Sequence, residues 1–86
     1  MNIDKIFEDM KMSNAEVRNG KRVWKALHAL WSKGEYLMTV GEVAKEADMS
    51  RPAVKKYLEI LVGTDHIRKF SKGRTTAYYT FMRVTS

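Results

Sequence analysis

Residues 39–61 read TVGEVAKEADMSRPAVKKYLEIL, two short helical patterns with almost nothing between them. Thr39 followed three residues later by Glu42 has the form of a capping box, in which each side chain serves the other residue's backbone N–H. Val40, Val43, Ala44 and Ala47 then recur at helical spacing and set a helix near Val40–Ala47. Asp48-Met49 is long enough only for a tight connection. Ser50 caps a second helix over 50–62, where Pro52 is tolerated because the first turn has no N–H partner to lose. Val54, Leu58 and Leu61 form its buried stripe, with Tyr57 at the boundary, while Arg51, Pro52, Lys55 and Lys56 project elsewhere. Two helices joined this tightly form a helix-turn-helix.

Working outward, Ser13 and Glu16 make a second capping box, and a longer helix follows. Val23, Leu27, Leu30 and Trp31 line its apolar side, with Trp24 at the edge and His28 between the two tryptophans. Asn19-Gly20 is a poor helix-forming pair, so the firm helix is expected only from about residue 20. Gly34 is its natural stop. Ile3, Ile6, Phe7 and Met10 are spaced as an amphipathic helix of about two turns, too short to stand without packing on something. Tyr36-Leu37-Met38 reads as a short extended piece. After Leu61, residues 66–70 and 76–81 read as two strands joined at Ser71-Lys72-Gly73-Arg74, where Gly73 supplies the turn. The fold class is α+β, mainly α: a three-helix core with a C-terminal β-hairpin, over 13–86, plus a short N-terminal helix over 1–12.

The 86 residues suit one small domain, and its composition is that of a globular chain. There is no cysteine, so disulfides and thiolate metal sites are excluded. No apolar run approaches the roughly 18–20 residues of a membrane span, and the first residues lack a signal peptide's apolar stretch, so a cytoplasmic location is expected. The net charge of +6 is unevenly spread. Residues 17–34 hold five cations and no acid; residues 51–86 hold eight cations and two acids. Between them, residues 35–50 are acidic. Two basic blocks point to a polyanion-facing side, against the plainer reading of a solvated basic surface.

No catalytic constellation is visible. The chain has no glycine-rich phosphate loop and no paired-histidine motif, and nothing sets a base beside a nucleophile. Neither an enzyme activity nor a metal or other cofactor is expected. Trp24 and Trp31 read as core or interface. Tyr78 and Tyr79 point to opposite faces of one strand, so one belongs to the core and the other is open to phosphate or a partner.

Residues from about 20 to 82 resemble the winged helix-turn-helix domains of prokaryotic transcription regulators, especially the arsenic-repressor-like and multiple-antibiotic-resistance-repressor-like groups. Residues 39–50 look like the second helix and turn, residues 50–61 like the recognition helix. Residues 67–81, with a basic strand, a Gly-Arg tip and a Tyr-Tyr pair, look like the wing. Asp65 stands about where the family often has glycine, and aspartate tolerates the left-handed backbone. The cysteine pair of metal-sensing relatives is missing, so metal sensing is not carried over.

The resemblance implies double-stranded DNA as partner, read in the major groove by the helix over 50–62. Arg51 suits guanine, Pro52 and Ala53 a thymine methyl, and Lys55 and Lys56 phosphates or bases, with Ser50 and Tyr57 completing that surface. Arg68, Lys69, Lys72, Gly73 and Arg74 of the hairpin 66–81 would follow the backbone or enter a minor groove. One such unit reads few base pairs, so a homodimer is expected, with Ile3, Ile6, Phe7 and Met10 as candidate contacts against the alternative that they cap their own core. A small transcriptional regulator follows, a repressor in preference to an activator. The alternatives are a winged-helix protein-interaction module and an RNA-binding or replication-associated factor.

Overall fold

The computed structural model describes residue 7, residues 12–73 and residues 76–81, without the side chain of residue 72. Among the described residues, beside the helical Phe7, three helices precede an antiparallel hairpin: α1 (Asn14–Ser32), α2 (Val40–Ala47), α3 (Arg51–Gly63), β1 (Ile67–Lys72) and β2 (Thr76–Phe81). The class is α+β and mainly helical, as expected. Both capping boxes form. Ser13 Oγ accepts from the Glu16 N–H and Thr39 Oγ1 from the Glu42 N–H, while each glutamate accepts from the cap residue's N–H. Ser50 caps α3 through the Ala53 N–H.

Helix α1 does not wait for residue 20. It runs from Asn14 through Asn19-Gly20 without interruption. The reason is tertiary. Phe7, helical and fully buried, lays its ring on Gly20, where a Cβ would stand 2.6 Å from Cζ. The same ring meets Tyr57 of α3 edge-on, with centroids 6.2 Å apart. Glycine costs about 1 kcal/mol of helix propensity, and burial of a phenylalanine outweighs that. Phe7 therefore belongs to its own chain's core and is not exposed for a dimer contact. Ile3, Ile6 and Met10 lie outside the described residues.

All three helices end in the same manner, with a residue of positive φ and an N–H reaching back five residues. Gly34 (φ 87°), Asp48 (φ 55°) and Asp65 (φ 62°) hold those positions. The reaching bonds are Glu35 to Leu30, Met49 to Ala44 and His66 to Leu61, at 2.9–3.0 Å. Such closures satisfy carbonyls that a helix end leaves without partners. The α2–α3 turn has a further support: Arg22 Nη2 of α1 donates to the carbonyls of Ala47 (2.8 Å) and Asp48 (3.2 Å). A cation at the carbonyl end of a helix is doubly favoured, by hydrogen bonding and by the helix dipole. Arg22 is thus part of the turn and not only a solvated charge on α1.

The core gathers the expected stripes: Val23, Leu27 and Leu30 of α1, Val43, Ala44 and Ala47 of α2, and Val54, Leu58 and Leu61 of α3. Phe7, Ala26, Met38, Tyr57, Ile67 and Tyr79 complete it among the described residues. The hairpin register pairs Ile67 with Phe81, Lys69 with Tyr79 and Phe70 with Tyr78. The extended piece expected around Met38 docks on the other side of β2, where Met38 and Tyr79 exchange both backbone hydrogen bonds (2.9 and 2.7 Å). The hairpin's base is fixed to α1 by Phe81, whose ring sits among Trp24 (5.3 Å), His28 (4.6 Å) and Trp31 (5.3 Å).

Two stability measurements check these contacts. Gly20→Ala, which improves helix propensity, is expected to lower stability by about 1–2 kcal/mol because the new methyl displaces the Phe7 ring. A rise in melting temperature would contradict that packing. Arg22→Met, which keeps the stem and loses the donors, is expected to cost about 1–2 kcal/mol in chemical denaturation; an unchanged midpoint would mean the turn closes without it.

Candidate nucleic-acid interface

The outward side of α3 carries Pro52, Lys55 and Lys56, all exposed, with Glu59 half-buried. Its cations do not act alike. Lys56 turns towards α1, where its Nζ lies 2.7 Å from Glu16 Oε2. The bond holds the Glu16 carboxyl below its ordinary range and raises the Lys56 ammonium. Lys55 makes no ion pair among the described residues. Its alignment with Glu59, one helical turn on, leans towards the hairpin.

Glu59 is the hinge of the site. Its Oε1 accepts from Lys69 Nζ of β1 (2.7 Å) and from the Tyr79 hydroxyl of β2 (2.9 Å). The Lys69 bond is the main cause that keeps the Glu59 carboxyl below its ordinary 4.5, against partial burial and with help from Tyr79. Tyr79 is pushed up to about 12, first by burial and then by the carboxylate beside it. These bonds tie both hairpin strands to α3.

Between α2, α3 and the hairpin lies a groove of about 540 Å³. Thr39, Val40 and Gly41 form one wall, Arg51, Pro52 and Lys55 the second, and Lys69, Thr76, Ala77 and Tyr79 the third. No acid lines it. The Arg51 guanidinium lies over Gly41, close enough that a Cβ there would stand 3.0 Å from Nη2. The α2 N-terminus adds partial positive charge, which the Glu42 carboxylate of the capping box partly offsets. Three basic side chains thus line one cleft, Arg51 and Lys55 without an ion pair among the described residues and Lys69 paired with Glu59, and such cations can donate charge-assisted hydrogen bonds to oxyanions.

Measured against expectation, the structure brings Arg51, Pro52, Lys55 and Lys69 together. Ser50 and Ala53 flank them in the first turn of α3. Tyr57 is a correction: only 3% exposed, its ring lies in the core and not on the outward face of α3. Arg68 is separated from Lys69 because neighbours in a strand point to opposite faces. It lines a second groove with Trp31, Tyr36 and Phe70. Gly73 makes the hairpin turn at φ 77°. The Lys72 side chain and Arg74 lie outside the described residues. Thr39, Gly41, Glu59 and Tyr79 were not expected at the site. The signals for two of them were present in the capping box and in the spacing of Glu59 four residues after Lys55.

Among the described residues no three histidine or carboxylate side chains converge as a metal ion would require, and no helix is long and apolar enough to cross a membrane. Comparisons with protein-family models, with curated proteins and with solved structures returned no match.

The Glu59 clamp has a pH signature. A carboxyl whose folded value is depressed contributes stability above its unfolded value, near 4.5, and loses it as pH falls through the folded one. Glu59→Gln is therefore expected to flatten the acid limb of the melting-temperature profile, by less than about 1 kcal/mol because the pair is solvent-screened. Equal acid limbs in the two proteins would show that the clamp carries no net charge energy.

Proposed function

We propose that this chain is a winged helix-turn-helix protein that binds double-stranded DNA and acts as a small transcriptional regulator, a repressor in preference to an activator. In this reading α2 and α3 are the helix-turn-helix, α3 enters the major groove, and the hairpin is the wing. The observation that carries it is the groove between α2, α3 and the hairpin that Arg51, Lys55 and Lys69 line together. The N-terminal end of α3 can approach base edges closely, and the partial positive charge at the starts of α3 and α2 favours phosphate. Arg22 at the α2–α3 turn and Glu59 between α3 and the hairpin support the shape of this surface. In this reading the protein works in the cytoplasm, and two copies on a two-fold site give the sequence discrimination that one helix lacks.

The cations are not equivalent in this reading. Arg51 and Lys55 meet the duplex directly. Lys56 is engaged with Glu16 and contributes less. A salt series on a selected duplex tests this. Arg51→Ala and Lys55→Ala are each expected to reduce the slope of log K against log salt by about 1, whereas Lys56→Ala reduces it by less. Arg51→Ala should in addition relax discrimination at one position by about 1–3 kcal/mol. No duplex binding at low salt, or variants indistinguishable from the parent, would overturn the reading.

A further inference from the structure

Two basic residues of the candidate interface are already held by carboxylates. Lys56 Nζ lies 2.7 Å from Glu16 Oε2, and Lys69 Nζ lies 2.7 Å from Glu59 Oε1. Each acid is also fixed by hydrogen bonds that need no charge. Glu16 Oε1 faces the Ser13 N–H and hydroxyl of the capping box, at 3.4 and 3.2 Å, which leaves Oε2 for Lys56. Glu59 Oε1 accepts from the Tyr79 hydroxyl at 2.9 Å. A glutamine oxygen accepts in the same way, and the capping box admits either residue. The hydrogen bonding of the fold therefore does not require the two negative charges. What the charges do is lower the positive potential on one side of a chain that carries +6. Exposed pairs of this kind add little to stability, yet an incoming phosphate must displace the carboxylate before it gains the lysine.

We propose that Glu16 and Glu59 are specificity-determining residues, which by engaging Lys56 and Lys69 reduce the pull of this face on any polyanion and leave Arg51 and Lys55 the larger share of binding. The proposal rests on the DNA reading and deepens it by saying what the face turns away: duplexes and other polyanions that offer charge without matching base edges. Non-specific binding is almost wholly electrostatic and grows with each phosphate neutralised. A non-specific complex can shift along the backbone to use every free cation, whereas base contacts hold a specific complex in one register. Withholding two lysines therefore weakens the first kind of complex more than the second.

Glu16→Gln and Glu59→Gln keep the neutral hydrogen bonds and remove the charges. The Lys33–Glu46 pair, 2.6 Å long, joins α1 to α2 and lines no part of the groove, so Glu46→Gln makes the same change of net charge elsewhere. On immobilised heparin, a polyanion without bases, the first two variants should elute at higher salt than the parent and Glu46→Gln close to it. On a random-sequence duplex at about 0.1 M salt each of the two should bind about 3–10-fold more tightly, with log K falling more steeply against log salt by about 1. On a selected duplex the gain should be smaller, so the preference for it drops about threefold. Adding Lys56→Met should erase the gain of Glu16→Gln. Variants that elute with Glu46→Gln, a gain that survives Lys56→Met, or equal gains on both duplexes overturn the proposal, and a parent that still prefers its selected duplex leaves the DNA reading standing. A parent that binds no duplex, while the heparin shifts appear, sinks the DNA reading and the specificity role with it. The two failures are thus told apart.

Discussion

Tyr79 cannot bury its ring without finding an acceptor for its hydroxyl, and the rest of the arrangement follows from how that demand is met. The ring is 1% exposed, in the middle of the hairpin's inner face. A buried phenol left without a partner would cost on the order of 1–3 kcal/mol. Glu59 of α3 supplies the acceptor, and because a carboxylate needs a counter-charge, Lys69 completes the group. The backbone of Tyr79 meanwhile pairs with Met38, which ties the α1–α2 connection to the same strand. One residue thereby fixes the distance between the hairpin and α3, and with it the width of the groove where Arg51 and Lys55 lie.

The helices were legible because their signals are local. Thr39 with Glu42, and Ser13 with Glu16, announce helix starts through bonds made within four residues. Val54, Leu58 and Leu61 reach the core because one face of α3 has no alternative. What local reasoning mistook was Gly20. Propensity marks it as a weak point, yet it is the spot where a ring from a distant segment comes closest to the helix axis. No window around residue 20 contains Phe7, so no local reading could weigh the burial that decides the matter. Arg22 is a similar case: its partners are carbonyls 25 and 26 residues further on.

The candidate site was legible in composition and less so in direction. Sequence places Arg51, Lys55 and Lys69 among the basic candidates on α3 and the hairpin, and they share a groove. Lys56 and Arg68 were picked out on the same grounds and face elsewhere. For Arg68 the alternation of a strand already contains the answer. For Lys56 it does not, because the helix position alone leaves the side chain free to reach either neighbour, and Glu16 decides it from 40 residues away. Tyr57, placed at the edge of the stripe, was drawn inward by the Phe7 ring, a contact that again spans most of the chain.

The bond between Glu59 and Lys69 has an effect beyond holding the hairpin. A free lysine loses up to about 2 kcal/mol of rotamer entropy when an anion fixes it. Lys69 has already lost much of that freedom on folding, so an anion entering the groove meets a side chain whose position is set. Its charge is also partly balanced, which weakens the long-range pull on any polyanion. The groove therefore gives up some indiscriminate attraction and gains a defined geometry. A surface of this kind separates partners by the spacing of their oxygens more than by the number of their charges.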